Sequence, residues 1–303
     1  MPLIDAHLHY VNFIQQSEGM DALIKKMDEG KITKAVLMGL PLLKKWDSFE
    51  KIEPHRYLDN DSKCYYYSYT DQIITNAFLS LDEITKKRFA PLLCGFNPTD
   101  LHNIKHVEYL LNNDSHWRGV GEIFLRHNSL TNITNEETAR ANHPAMNRIY
   151  QLCIEKNLPI VVHQDSTATD RPDIYEYTEE LQDVLKCFPN LKLVWAHGGV
   201  SENIKYQYYY KMIRTLLNSF HHLYIDLSWV IFDKIICKNG IIAKNWITTI
   251  EQYPHRFIIG SDLIGNFTEL PRALKKYNML LTKLSPTTKN LVSYENANNL
   301  FFK

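Results

Sequence analysis

Eight short apolar runs recur along the chain, and longer amphipathic stretches separate them. Most of the runs are continuously hydrophobic rather than alternating, which is typical of strands buried on both faces of a parallel sheet. The runs span residues 3–6, 35–40, 89–95, 119–123, 159–163, 191–197, 223–227 and 257–262.

The stretches between these runs carry apolar residues at helical spacing, as at residues 145–156 and 178–187. Eight alternations of strand and helix predict a closed (β/α)₈ barrel, although a doubly wound sheet produces a similar pattern. A chain of 303 residues suits one such barrel, which typically needs about 250 residues. We therefore predict a single barrel domain over residues 1–303.

One connection, residues 41–73 between the second and third strands, is too long for an ordinary loop. Its many aromatic residues argue against disorder. We interpret it as an insertion over one end of the barrel, either covering a substrate or packing as a structural flap.

Composition narrows the class of protein. Lys plus Arg and Asp plus Glu both number 34, so no basic excess favours nucleic acid as a partner. Five scattered cysteines indicate reduced thiols and a cytoplasmic protein. Neither a signal peptide nor a transmembrane run is expected. A small-molecule substrate fits this composition, no membrane partner is expected, and a homo-oligomer is compatible with it.

Ligand-type side chains stand at the carboxyl ends of the predicted strands. His7 and His9 end the first strand, two residues apart, so their side chains point the same way. The carboxyl ends of barrel strands form the face that holds active sites. The four later candidates end the fourth, fifth, sixth and eighth strands: Glu122, His163, His197 and Asp262.

Imidazole and carboxylate donors without thiolate suit a borderline divalent ion. We predict one or two such ions, with Zn²⁺ as the first choice and Mn²⁺ or Fe²⁺ as alternatives. Arg126 and His127 follow the fourth strand and Gln164 follows the fifth, so all three are candidates for substrate binding. Arg126 could hold a substrate carboxylate or phosphate, or form a structural salt bridge. Asp226, inside the seventh strand, is expected to be a buried, hydrogen-bonded acid.

Together these motifs resemble the amidohydrolase superfamily, specifically the amidohydrolase-2 family of metal-dependent hydrolases. The resemblance implies a (β/α)₈ barrel, one or two metal ions, and hydrolysis or, in some members, decarboxylation. The matching segments are residues 4–9, 162–163, 195–199, 260–262 and 294–301.

Gly121-Glu122-Ile123 is similar to the segment that supplies a bridging carboxylate in TatD-like members of the superfamily. This resemblance implies two ions, one on His7, His9 and Asp262, one on His163 and His197, and Glu122 on both. In the one-ion alternative, His7, His9, His163 and Asp262 hold the ion and His197 contacts the substrate. The residues that follow His163 and His197 differ from the TatD pattern, which weakens a nuclease assignment.

From these motifs we expect a hydrolase that activates water to cleave a small ester, lactone or amide, with Asp262 as the proton shuttle. Three alternatives remain open at this level. They are a decarboxylase of the same family, a TatD-like nuclease or phosphoesterase, and a barrel that binds ligands without catalysis.

Overall fold

Eight parallel strands lie in sequential order around the molecule. The computed structural model describes residues 2–41, 68–127, 138–168, 171, 173–201 and 208–303. The strands of the main sheet are β1 Leu3–His9, β2 Ile32–Met38, β3 Phe89–Leu93, β4 Gly119–Phe124, β5 Ile160–His163, β6 Leu193–Trp195, β7 Leu223–Asp226 and β10 Phe257–Ile258. Between β7 and β10, a small antiparallel pair is formed by β8 Cys237–Lys238 and β9 Ile241–Ile242.

Backbone hydrogen bonds link the first strand to the segment around the last one. The amide of Ala6 donates to the carbonyl of Ile259 over 3.0 Å, and the amide of Asp262 donates to the carbonyl of His7 over 2.8 Å. A further bond runs from the amide of Gly265 to the carbonyl of His9 over 3.0 Å. The sheet therefore closes on itself, which confirms the predicted barrel over the doubly wound alternative.

Helices cover the outside of this barrel. The two helices predicted at residues 145–156 and 178–187 correspond to α5 and α6, and α5 begins one residue earlier because Pro144 occupies its first turn. The helices are α1 Met20–Gly30, α2 Tyr69–Leu79, α3 Glu83–Lys86, α4 Asn103–Asn113, α5 Pro144–Glu155, α6 Thr178–Cys187, α7 Tyr209–Ser219, α8 Lys244–Gln252, α9 Leu270–Lys275, α10 Asn278–Leu281, α11 Pro286–Asn290 and α12 Asn296–Phe301.

The core has two layers. The larger one lies between the strands and the helices. The smaller one fills the barrel with alternate strand residues, including Ile4, Ala6, Val36 and Met38, and Phe301 of α12 packs with them. Filling the interior with side chains makes the barrel a packed core rather than a pore.

Two predicted strands are shorter than expected. β6 ends at Trp195 and β10 ends at Ile258, so His197 and Asp262 lie in the turns that follow. Both residues have a positive φ, 54° and 55°, which takes the chain out of the extended conformation.

Most of the predicted insertion at residues 41–73 lies outside the described residues. The end of that stretch is helical, because α2 begins at Tyr69. Among the residues that the structure describes, no helix is long and apolar enough to cross a membrane.

Gly121 provides a test of how closely β4 and β5 approach each other. Its φ is 139°, and an added Cβ would lie 2.6 Å from the backbone oxygen of Val161. We predict that Gly121→Ala lowers the free energy of unfolding through two contributions. One is the backbone strain of a side chain at this φ, and the other is steric overlap, which costs about 1–3 kcal/mol. Urea titration followed by circular dichroism measures this loss.

The matched control is Gly19→Ala, because Gly19 has a φ of 92° but no atom within 4 Å of an added Cβ. This variant should lose only the strain contribution, about 1–3 kcal/mol. Equal losses in the two variants would contradict the proposed close approach.

Candidate metal centre

A register shift in β1 aims two imidazoles at the mouth of the barrel. The pairing of β1 with β2 shifts between Asp5 and Leu8, as at a β-bulge, which re-aims side chains next to functional sites. Leu8 packs in the outer core layer. His7 and His9, on either side of it, are buried with their Nε2 atoms 3.4 Å apart.

The six candidate ligands, which lie far apart in the sequence, come together at this point. Two groups of three can each place their donor atoms within 4.8 Å of one another. One group contains His7, His9 and Asp262, and the other contains Glu122, His163 and His197. This is the division that the resemblance to two-ion centres implies, although the ligand roles themselves stay a prediction.

The Glu122 carboxylate lies between the two groups. Its Oε2 is 3.2 Å from Nε2 of His9 and 3.5 Å from Nε2 of His7. Its Oε1 is 3.1 Å from Nδ1 of His163 and 3.5 Å from Nε2 of His197. Each oxygen of one side chain therefore faces one pair of imidazoles.

Asp262 approaches the same imidazoles from the more open side. Its Oδ1 lies 3.3 Å from Nε2 of His7 and 3.4 Å from Nε2 of His9, and its Oδ2 lies 3.8 Å from Nε2 of His197. The side chain of Asp262 is 13% exposed, whereas that of Glu122 is 1% exposed. Of the two carboxylates, Asp262 is the one that water or a substrate can reach.

Hydrogen bonds orient the imidazoles from behind. Nδ1 of His9 lies 2.7 Å from the carbonyl oxygen of Gly39, and Nδ1 of His7 lies 2.9 Å from Oδ2 of Asp226. In the neutral ring that binds a metal ion, the nitrogen that donates to such an oxygen carries the proton, so the other nitrogen presents its lone pair. In both residues that other nitrogen faces the cluster, which is the arrangement that a metal ion requires.

The other two imidazoles have similar contacts. Nδ1 of His197 lies 3.2 Å from the carbonyl oxygen of Ser228, and Nε2 of His163 lies 3.1 Å from Oδ1 of Asp165. The side chain of Asp226 also accepts a hydrogen bond from the amide of Ser228. Asp226 is thus the buried, hydrogen-bonded acid expected from the sequence, and its partners lie inside the centre.

Asp5 fixes the turn that carries Asp262. Its carboxylate accepts hydrogen bonds from the amide of Ser261 at 2.8 Å and from Oγ of Ser261 at 2.6 Å. Burial raises the pKa of Asp5 to about 6, against the opposing effect of these bonds. Asp5 and Ser261 lie 256 residues apart, and only the closed barrel brings them into contact.

The protein environment strongly perturbs the charges in the cluster. Burial lowers the pKa of His9, but hydrogen bonds to Asp262 and Glu122 outweigh it and raise this pKa to about 9. For His163, burial is outweighed in the same way by hydrogen bonds to Asp165 and Glu122, and its pKa is also raised to about 9. Although burial opposes it, the neighbouring His7 holds the pKa of Glu122 well below its usual range. Carboxylates that stay ionised beside converging imidazoles fit a cation.

The three candidate substrate-binding residues lie in different environments. His127 lines the pocket at the centre and stacks on His163, with ring centroids 4.1 Å apart. Nε of Arg126 donates to Oε2 of Glu180 over 3.0 Å, and Nε2 of Gln164 donates to the same oxygen over 2.7 Å. Neither Arg126 nor Gln164 lies among the described residues that line the pocket. Arg126 forms a salt bridge with Glu180, which was the alternative to substrate binding predicted for it.

Sequence reasoning did not single out the apolar wall of this pocket. Phe13, Leu40, Phe124, Trp229 and Ile264 line it together with the candidate ligands. Trp229 follows β7 by three residues, and Phe124 is the last residue of β4. The signal available in the sequence was that both residues lie at or just beyond the end of a strand. Aromatic residues at such positions also commonly pack in the core, so this signal did not distinguish a pocket wall from core packing.

Two protein families have models that match this chain. The model of the family described as Amidohydrolase matches residues 118–303, and the model described as TatD related DNase matches residues 4–205. The chain belongs to the amidohydrolase family and shares its first two thirds with the TatD pattern. No curated protein matches the chain.

Solved structures share the fold at low identity. An uncharacterized TIM-barrel protein from Bordetella bronchiseptica has a TM-score of 0.60 and 14% identity, with 99% of this chain and 98% of that chain covered. A dihydroorotase from Campylobacter jejuni has a TM-score of 0.55 and 16% identity, with 99% and 82% covered. A 5-carboxyvanillate decarboxylase from Novosphingobium aromaticivorans, complexed with manganese and 4-hydroxy-3-methoxy-5-nitrobenzoic acid, has a TM-score of 0.58 and 14% identity, with 99% and 95% covered.

The raised pKa values lead to a prediction about metal uptake. With a pKa of about 9, His9 and His163 are protonated at neutral pH in the metal-free protein, so an incoming ion must displace their protons. The apparent affinity for Zn²⁺ should rise about tenfold per pH unit for each proton displaced, and level off above about pH 9. Competition with a chelator at several pH values measures this dependence.

The control is His102→Gln, which replaces an exposed histidine outside the centre and should leave the dependence unchanged. An affinity that is constant between about pH 6 and pH 9 would mean that uptake displaces no protons, and would contradict the charge distribution described above.

Proposed function

We propose that this protein is a hydrolase that cleaves the ester, lactone or amide bond of a small molecule at a centre of two divalent ions. The observation that carries the proposal is the position of Glu122, whose two carboxylate oxygens face two separate pairs of imidazoles. A one-ion centre does not require a carboxylate that is shared between two pairs of imidazoles.

The residues present fit two ions of borderline character. His7, His9 and Asp262 would hold one ion, His163 and His197 the other, and Glu122 both. Nitrogen and carboxylate donors without thiolate favour Zn²⁺, Mn²⁺ or Fe²⁺. The 5-carboxyvanillate decarboxylase that shares this fold is complexed with manganese in its solved structure, which supports Mn²⁺ as an alternative to our first choice, Zn²⁺.

Bound divalent ions would lower the pKa of water from 15.7 to about 7 and polarise the carbonyl group to be cleaved. Asp262 would act as the proton shuttle, because it is the carboxylate that solvent reaches. It accepts a proton from the attacking water as the new C–O bond forms, and returns it to the leaving oxygen or nitrogen as the old bond breaks. Glu122 stays ionised throughout, since its pKa is well below its usual range.

The competing reaction is decarboxylation, which related structures make a serious alternative. A decarboxylase must anchor the carboxylate of its substrate. Among the described residues that line the pocket there is no lysine or arginine, and Arg126 is paired with Glu180. The described wall therefore offers no lysine or arginine as an anchor apart from the proposed ions, and we rank decarboxylation second.

A nuclease or phosphoesterase is favoured by the TatD match and by Glu122. A formal net charge of zero and the lack of a cation along the described pocket wall oppose a polyanionic substrate. We therefore rank this candidate below a hydrolase of small esters, lactones or amides.

Metal analysis combined with a substrate panel tests the proposal. The purified protein, loaded with Zn²⁺ or Mn²⁺, should contain two ions per chain and cleave a member of a panel of lactones, esters and amides. The panel also contains a phosphodiester and an aromatic acid whose decarboxylation releases CO₂. Phosphodiester cleavage or CO₂ release without hydrolysis of any lactone, ester or amide would overturn the proposal.

Replacing Glu122 should separate the two-ion and one-ion centres. We predict that Glu122→Gln lowers the metal content to one ion or fewer and weakens metal affinity by about 100-fold or more, because even groups that only orient ligands contribute 10- to 100-fold. Elemental analysis and chelator competition provide the measurements.

Glu155→Gln is the matched control, since Glu155 is exposed on α5, away from the candidate ligands, and should bind no metal ion. A Glu122→Gln variant that keeps the wild-type metal content and activity would rule out the shared carboxylate.

A further inference from the structure

The approach to the candidate metal centre is walled by apolar and aromatic side chains. The apolar and aromatic part of the lining consists of Phe13, Leu40, Phe124, Trp229 and Ile264, and His127 lies with them. The candidate ligands that share the pocket include His9, His163, His197 and Asp262. A substrate whose scissile bond lies at the centre must place its adjoining atoms against this wall.

Trp229 has a backbone conformation that is rare for a bulky residue. Its φ is 57°, in the left-handed region. Such a conformation costs free energy and persists where surrounding contacts hold it, most often at functional sites. Here the contacts come from the residue before it, because the amide of Ser228 donates to Asp226 over 2.9 Å and its carbonyl oxygen lies 3.2 Å from Nδ1 of His197.

This conformation places the indole against the candidate ligands. Its ring centroid is 5.0 Å from that of His197, at an interplanar angle of 63°. The distances to the rings of His163 and His127 are 6.0 Å and 5.9 Å. Trp229 is only partly buried, so part of the indole remains available to a ligand.

The ionisable side chains of the described wall are confined to the metal centre and to His127 beside it. The ionisable acids among the described lining residues are Glu122 and Asp262, and both face the imidazoles. No described lining residue is a lysine or an arginine. A carboxylate or phosphate that lies against the apolar side chains of the wall, away from the histidines and the metal centre, would therefore lose hydration without gaining a described counter-charge.

We propose that Trp229 is a specificity-determining residue, which stacks on an uncharged, flat ring of the substrate beside the bond to be cleaved. The cleavage itself rests on the proposed function, whereas the binding of the ring does not. Aromatic contacts of this kind add to the area they bury and depend on ring geometry. The substrate class is therefore neutral aryl lactones, esters or amides rather than anionic ones.

Kinetics with paired lactones test the role of the indole. Dihydrocoumarin carries a benzene ring that δ-valerolactone lacks. In Trp229→Leu the ratio of the KM for dihydrocoumarin to the KM for δ-valerolactone should rise about 2- to 10-fold, because δ-valerolactone has no ring that could stack on the indole. Trp229→Phe should recover part of the loss, because it restores a ring at the same position.

Tyr109→Leu is the matched control, because Tyr109 is an aromatic residue that is 64% exposed on α4. It should leave both KM values unchanged. Equal KM changes for the two lactones in Trp229→Leu, or a lower KM for a ring-carboxylated dihydrocoumarin than for the neutral one, would overturn the proposed specificity.

Binding of uncleavable analogues separates this inference from the proposed function. Chroman and tetrahydropyran are the ether analogues of the two lactones, and NMR titration measures their affinities for metal-loaded and metal-free protein. Chroman should bind more tightly than tetrahydropyran, and Trp229→Leu should remove that preference. If no lactone is cleaved but chroman is still preferred, the proposed hydrolysis fails and the ring site stands. Equal binding of the two ethers by the wild-type protein would overturn the ring site.

Discussion

The centre depends on one buried carboxylate, that of Glu122. A charge taken out of water is costly unless partners compensate it. Four imidazoles surround Glu122, and each of its oxygens lies within 3.5 Å of two of them. Because these imidazoles come from β1, the end of β5 and the turn after β6, the compensation exists only once the barrel has closed. The stability of the barrel and the geometry of the site are therefore coupled.

Irregular backbone is concentrated where the barrel presents its candidate ligands. The register shifts in β1 and β4 fall beside His7 and Glu122, and His197 and Asp262 both have positive φ values. Regular parallel strands would point alternate side chains into the packed interior and into the helix layer. The irregular positions instead turn side chains toward the open end. Conformational cost is thus concentrated at the positions of the candidate ligands.

The groups that orient the imidazoles also shape the pocket wall. Asp226 holds Nδ1 of His7 and the amide of Ser228, and Ser228 contacts His197 and precedes Trp229. One hydrogen-bonded unit therefore links both halves of the candidate centre to the aromatic surface beside it.

The sequence by itself determined the eight strands and the six candidate ligands, because strand periodicity and the position of a residue near a strand end are local properties. It predicted a barrel, but a doubly wound sheet produces a similar pattern, and only the hydrogen bonds between β1 and the segment that follows β10 decided between the two. It did not determine where β6 and β10 end, since the turns at His197 and Asp262 are shaped by hydrogen bonds to other strands. The pairing of Arg126 with Glu180 and the contact of Asp5 with Ser261 were likewise decided by the tertiary structure alone. These partners lie 54 and 256 residues apart, and only barrel closure brings them together.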